Sequence, residues 1–215
     1  GNIYIGGTGK TPTTIKLYEM LKSLNIDIST AKKFYKSQTD EQIILNSKSN
    51  LITGSDRKKI IIQAWKKNKK LLIFDDGLQD KHINYDLRFV CFDSKNWIGN
   101  GRLIPAGPLR ENLVCLNKYD GVFLKGEKEN SIKLIDKIKS INPKIQIFFT
   151  NYEPVNISEF NKDENYIIFS GIGNPENFKD FLIKNNLKIK QEIIFPDHYD
   201  YKRKDIEKIK FKANQ

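Results

Sequence analysis

Apolar residues recur along the chain with two different periods. Short β-branched and aromatic runs stand at residues 2–5, in "KLLIF" (70–74), "LRFVCF" (87–92), "DGVFLK" (120–125), "IQIFFT" (145–150) and "YIIFSGIG" (166–173), and each reads as a buried strand. Between them the spacing lengthens to that of a helix, first in Ile15, Tyr18, Leu21 and Leu24, then over about 55–68 and 131–140. Pro175 stands where it can open a further helix at its first turn. Strands alternating with helices predict an α/β fold with a mostly parallel sheet flanked by helices. The polar, irregular stretch "NYEPVNISEFNKDEN" (151–165) reads as a linker. It separates a larger first domain, 1–150, from a second, smaller α/β lobe, 166–215. There is no internal repeat. Residue 1 falls at the start of a strand and "DIEKIKFKANQ" begins a helix at the other end, so the chain reads as a piece of something longer.

The first strand runs into "GGTGKT" and then into the first helix. At such a junction small residues let backbone N–H groups close around phosphate oxygens, a lysine reaches the outer phosphates, and a hydroxyl helps hold a cation. Gly6, Gly7 and Gly9 supply the closeness, Lys10 the charge and Thr11 the hydroxyl. The pattern is a variant, because the usual first glycine of such a loop falls at Tyr4. With this loop the α/β reading sharpens to a P-loop NTPase-like sheet.

A second element strengthens it. "LLIFDDGLQD" (71–80) is an apolar strand ending in Asp75 and Asp76, and the carboxyl edge of a parallel sheet is where a metal-directed aspartate stands. Adjacent residues on a strand face opposite ways, so the two carboxylates have separate tasks. "GNGRLIPAGPLRE" (99–111) is stiffened by glycine and proline and carries Arg102 and Arg110, whose guanidinium forks suit a phosphorylated substrate. His198, in "FPDHYDY", follows a strand-like run and sits among polar residues, as at the rim of a site. Asp40 and Glu41 precede an apolar run and read as acids at a helix N-terminus.

Composition narrows the partners. The 215 residues carry 37 Lys and Arg against 26 Asp and Glu, a formal charge of +11 that points to an anionic partner. Runs such as "RKKIIIQAWKKNKK" account for much of the excess as a solvated face. Aromatic residues lie within apolar strands rather than interleaved with basic ones, so no nucleic acid is expected. Cys91 and Cys115 both stand in apolar runs, as buried thiols of a reducing compartment do. No apolar stretch approaches the roughly 20 residues that span a bilayer.

"GNIYIGGTGKTP", "TDEQIIL", "DDGLQD", "GNGRLIPAGPLRE", "SGIGNPENF" and "FPDHY" together, in this order, resemble the lipid A 4'-kinases (tetraacyldisaccharide 4'-kinases) over nearly the whole chain. The resemblance implies ATP- and Mg²⁺-dependent phosphorylation of the 4' hydroxyl of a tetraacylated glucosamine disaccharide 1-phosphate, the lipid A precursor. It places the protein in the cytoplasm, peripherally at the anionic inner face of the bacterial inner membrane. By the same resemblance residues 4–11 (Tyr4, Ile5, Gly6, Gly7, Thr8, Gly9, Lys10, Thr11) bind nucleotide. Thr11, Asp75 and Glu41 attend the metal, with Lys10 on the outer phosphates and Asp76 beside them as a further catalytic residue. Asp40 would accept the proton of the 4' hydroxyl, helped by His198. Gln79, Asn100, Arg102 and Arg110 would face the lipid substrate.

The chain departs from the family pattern at Gln42, which replaces a proline, and at Asp80, which replaces a histidine. "STAKKFYKSQT" lacks the family's Ser-Arg-Gly-Tyr-like turn, and the N-terminal membrane-associating helix and a C-terminal Thr-Glu-Lys-Asp-like motif are not in the sequence. The glycine loop and the Asp-Asp-Gly motif by themselves would equally serve a nucleotide-binding switch or regulatory ATPase without a lipid substrate.

Overall fold

The computed structural model describes residues 1–35, 39–197 and 199–213, and the chain divides into two compact units, Gly1–Asn151 and Tyr152–Gln215. In the first unit, strands β1 (Ile28–Lys33), β2 (Leu51–Gly54) and β3 (Leu71–Phe74) form a parallel sheet in the order β2-β1-β3. Helices α1 (Lys10–Ser23), α2 (Thr39–Lys48) and α3 (Arg57–Lys66) precede these strands in turn. A second parallel sheet, in the order β4-β5-β6, joins β4 (Phe89–Asp93), β5 (Gly121–Lys125) and β6 (Gln146–Thr150), with α4 (Ile132–Ile141) crossing from β5 to β6.

Each sheet has its own core. Val90, Phe92, Val122 and Leu124 of the second sheet bury against Ile138 of α4 and Leu116 of a 3-10 turn at Leu113–Lys118. Ala31 and Ile52 of the first sheet bury against Ile60 and Ala64 of α3. The α3 helix starts where it does because the Asp56 carboxylate accepts the Lys59 N–H at 2.9 Å, occupying a donor that the first turn leaves open.

Because every pairing within the first sheet is parallel, the carboxyl ends of β1, β2 and β3 share one edge. That edge gathers Lys32, the start of α3 and Asp75. It is the edge at which parallel sheets bind ligands.

The strand expected at residues 2–5 does not form. The backbone of Gly1 donates to Phe89 O at 3.0 Å and accepts from Cys91 N at 2.8 Å, and Tyr4 then makes a single antiparallel bridge to Leu109. Gly6, at φ 102°, turns the chain away before a ladder can extend. The structure adds β1 and β2, which the apolar pattern did not announce.

The second unit is a β-α-β element closed by a further helix. Strands β7 (Asn165–Ser170) and β8 (Lys188–Ile194) pair in parallel, joined by α5 (Pro175–Lys184), and α6 (Arg203–Ala213) follows. Asn174 caps α5 by accepting the Asn177 N–H at 3.1 Å, with Pro175 at its first turn. Residues 152–164 group with this unit and include a 3-10 turn at Ile157–Glu159. Among the described residues no helix is long and apolar enough to cross a membrane.

Candidate active site

The glycine loop folds tightly on itself before α1. Thr8 N donates to Gly6 O at 2.9 Å, and Gly9 enters the helix at φ 84°, a left-handed conformation that costs glycine little. No side chain caps the N-terminus of α1 and no acid stands in its first turn, so its positive end is presented to an anion. A Cβ added at Gly6 or Gly7 would meet nothing within 4 Å, which leaves open space beside the loop. Lys10 and Thr11 are the first two residues of the helix.

Thr11 points at the end of β3. Its hydroxyl donates to Asp75 Oδ2 at 3.0 Å. The same oxygen accepts from Lys32 Nζ at 2.8 Å, and Lys32 also reaches Glu41 Oε2 at 2.5 Å. The side chains of Lys32 and Asp75 are 2% and 0% exposed, and that of Glu41 is 26% exposed. Burial pulls the Lys32 ammonium toward neutrality, but Asp75 and Glu41 outweigh it and hold its pKa above the ordinary value. The other Asp75 oxygen, Oδ1, is buried with no hydrogen-bond partner.

That orphan acceptor tests whether a cation suits the site. A buried carboxylate oxygen without a donor is costly unless something positive completes it. One free carboxylate oxygen, a nearby hydroxyl and a phosphate loop are the donor set that Mg²⁺ uses when it shares phosphates with a protein. Thr11 and Asp75 therefore fit it. Glu41 is turned to Lys32, and Asp40, one residue earlier at the start of α2, is exposed.

The neighbouring aspartate goes elsewhere. Asp76 takes a left-handed conformation at φ 59°, and its carboxylate meets the Arg110 guanidinium at 3.3 Å. Burial works against its charge, yet Lys10 and Arg110 hold its pKa below the ordinary value. Arg57, the first residue of α3, donates to Asp76 O and to Asp80 Oδ2, the latter at 3.1 Å. Asp80 is also held below its ordinary value, first by the His82 backbone N–H and then by Arg57. These groups border an open cavity of about 420 Å³ with Tyr35, Arg57, Gln79, Lys81 and Arg110 among its walls.

Arg110 is delivered there by the backbone. The Gly-Pro loop returns antiparallel to the chain leading into the phosphate loop, with Ile5 N donating to Pro108 O at 2.9 Å and Arg110 N to Ile3 O at 2.7 Å. Asn100 closes the loop on itself, donating to Ala106 O and accepting the Arg102 N–H. A Cβ on Gly107 would stand 2.1 Å from Asn100 Oδ1, so glycine is required at that approach. Gln79 donates to Asn2 O at 2.9 Å and to Glu111 Oε1 at 3.0 Å, tying the Asp-Asp-Gly turn to both arms of this return.

Of the residues singled out in the sequence, Asp75 and Glu41 thus meet at Lys32 and Thr11 joins them through Asp75, while Asp76, Gln79 and Arg110 line the cavity. Asn100 and Arg102 stand on the exposed loop and do not line the cavity. His198 lies outside the described residues. Lys32 and Arg57 are functional candidates that sequence reasoning missed. A lysine in "ISTAKK" gives no sign of burial, although Arg57 directly after a helix-capping Asp56 could have been placed at a sheet edge.

The comparisons with known proteins agree on one family. The family model for tetraacyldisaccharide-1-P 4'-kinase matches residues 28–215. The chain is 48% identical over 215 residues to the tetraacyldisaccharide 4'-kinase of Pelagibacter ubique (strain HTCC1062), covering 100% of this chain and 68% of that protein. It is 35% identical over 230 residues to the enzyme of the same name from Rickettsia bellii (strain OSU 85-389), covering 99% and 70%. The similarity to the Rickettsia canadensis (strain McKiel) enzyme is 35% over 226 residues, covering 97% and 68%. The phosphate loop lies before the stretch matched by the family model and within the stretch shared with the Pelagibacter protein.

Proposed function

The chain belongs to the tetraacyldisaccharide-1-P 4'-kinase family, and from that premise we propose that it transfers the γ-phosphoryl group of ATP, with Mg²⁺, to the 4' hydroxyl of a tetraacylated glucosamine disaccharide 1-phosphate. The observation that carries the assignment of parts is the Thr11–Asp75 hydrogen bond at 3.0 Å, with the second Asp75 oxygen buried and unpartnered beside a phosphate loop.

In this reading residues 4–11 hold the nucleotide. Backbone N–H groups of the loop and the start of α1 bind phosphate oxygens, and Lys10 places its charge against the outer phosphates. Thr11 and Asp75 would hold Mg²⁺, which when bound neutralises charge on the β- and γ-phosphate oxygens. Glu41 supports the metal side through Lys32. Phosphoryl transfer asks the protein for positioning and charge stabilisation more than for covalent help. By the resemblance to the family, Asp40 in "TDEQIIL" accepts the proton of the attacking hydroxyl, and His198 in the separate block "FPDHY" assists it.

Arg110 and Gln79, with Asp76, orient the sugar side of the substrate, and Arg102 and Asn100 extend that surface along the loop. The acyl chains stay in the membrane. The protein acts peripherally at the cytoplasmic face of the inner membrane, where each Lys or Arg near an anionic leaflet contributes about 1 kcal/mol of attraction. The net charge of +11 supports this reading.

The test is label transfer. Radiolabelled ATP, Mg²⁺ and tetraacyl disaccharide 1-phosphate in detergent micelles should give labelled lipid, with the new phosphate at the 4' position by mass spectrometry and loss of labelling in Asp40→Ala. ATP hydrolysis with no label on the lipid would turn the chain into a nucleotide-driven switch, and full activity in Asp40→Ala would remove its proton-accepting role.

A further inference from the structure

Lys32 is a deeply buried cation of the site, and its part in phosphoryl transfer is indirect, through the two carboxylates it holds. It stands near the end of the central strand β1, its ammonium between Asp75, just past the end of β3, and Glu41 on the first turn of α2. A buried ion pair of this kind gives little net stability over an apolar replacement, because desolvation offsets the Coulomb gain. Stability alone therefore does not account for a lysine at this position. Its position does suggest a role, since it occupies Asp75 Oδ2 and Glu41 Oε2, two of the oxygens that a divalent cation would otherwise find.

The proposal rests on the metal-assisted kinase reading above. We propose that Lys32 is a resident counter-cation for Asp75 and Glu41, which keeps these carboxylates from capturing a free divalent cation and reserves the site for a cation arriving with nucleotide phosphates. Without Lys32 the two acids would present two negative charges to any passing divalent ion. With it they present one, and Asp75 offers mainly its unpartnered Oδ1. A cation then binds well only when phosphate oxygens complete its shell, which ties metal loading to nucleotide loading. The same ammonium tethers the first turn of α2, and hence Asp40, to the end of β3. Lys32 is thus a positioning residue acting through Asp75 and Glu41.

Mn²⁺ titration followed by electron paramagnetic resonance tests this without turnover. In nucleotide-free protein, Lys32→Met should bind Mn²⁺ at least about tenfold more tightly than wild type, because an opposing charge at ion-pair distance is gone. Lys32→Arg, which keeps the charge, should bind as weakly as wild type. A purely structural lysine predicts unchanged or weaker Mn²⁺ binding in Lys32→Met, and that result would overturn the proposal. Should Lys32→Met fail to fold, the double variant Lys32→Gln with Glu41→Gln removes one charge of each sign. It still frees Asp75 Oδ2, so it should show a smaller gain in the same direction, and no gain would count against the proposal. Wild type with ADP present reports on the underlying reading separately. Uptake of Mn²⁺ there supports the metal site whatever Lys32 does, and no uptake overturns both.

Discussion

Two regions part at the Asp75–Asp76 peptide and treat charge in opposite ways. On one side Asp75, Lys32, Glu41 and Thr11 form a largely buried group in which the Lys32 and Asp75 side chains are 2% and 0% exposed. On the other, Asp76, Arg57, Asp80 and Arg110 border an open cavity, with ion pairs of 3.1–3.3 Å between partly exposed side chains. The left-handed backbone at Asp76 is what separates them, reversing the direction of the side chain within one residue. Buried charges are held rigidly and break at high cost, whereas accessible ones exchange partners cheaply. The first kind suits a nucleotide and metal that must be held in one geometry, and the second suits a bulky sugar phosphate that must enter and leave.

The sharpest break in that contrast is Asp75→Asn. It leaves Lys32 paired with Glu41 alone and takes away one charged hydrogen bond, so stability should fall by about 1.5–3 kcal/mol in denaturant unfolding, with kinase activity down on the order of a thousandfold. Lys10→Ala should come next, costing on the order of a hundredfold or more in kcat/KM for ATP while the unfolding midpoint stays nearly unchanged. Gly107→Ala should act on the open side only. Its Cβ would collide with Asn100 Oδ1 and Arg102 O, at 2.1 and 2.5 Å, and force the loop apart. About 1–2 kcal/mol of stability and part of the lipid affinity should go, with ATP binding retained. The smallest effect is acid sensitivity. Asp76 and Asp80 have folded pKa values below the ordinary 3.8, so their stabilisation is complete above about that pH and is lost as pH falls through the folded values. Asp80→Asn should therefore flatten the wild-type loss of stability measured below pH 4.

The phosphate loop, the Asp75–Asp76 pair and Arg110 were legible in the sequence, because they are written in residue types with narrow uses; Arg57 on the open side was not. Glycine, lysine and threonine at a strand-to-helix junction, and two acids closing an apolar run, each point to one chemistry. Within the buried group Thr11, Asp75 and Glu41 were legible and Lys32 was hidden, for a physical reason. Strand β1, "ISTAKK", is buried nearly throughout but is rich in polar residues; Thr30 and Lys32 have their polar atoms matched inside the fold rather than by water, while the Ser29 hydroxyl is buried with no partner. Thr30 and Ser49 share a hydroxyl hydrogen bond at 2.6 Å, and Lys32 has its two carboxylates. Hydrophobic periodicity cannot see a strand whose burial is offset by polar pairing at distant positions. The reverse happened at residues 2–5, where an apolar run suggested a strand and the returning Gly-Pro loop took its hydrogen bonds instead. Arg110 was legible as a phosphate-binding type, but its meeting with Asp76 depends on that return.

The division of labour at the Asp-Asp turn is tested most directly by initial-rate kinetics of Arg110→Ala with ATP and lipid varied independently. The account predicts a KM for the disaccharide 1-phosphate raised about tenfold, the equivalent of 1.4 kcal/mol, with KM for ATP unchanged. An equal rise in KM for ATP, with lipid binding intact, would place Arg110 on the nucleotide and contradict the separation of the two sides.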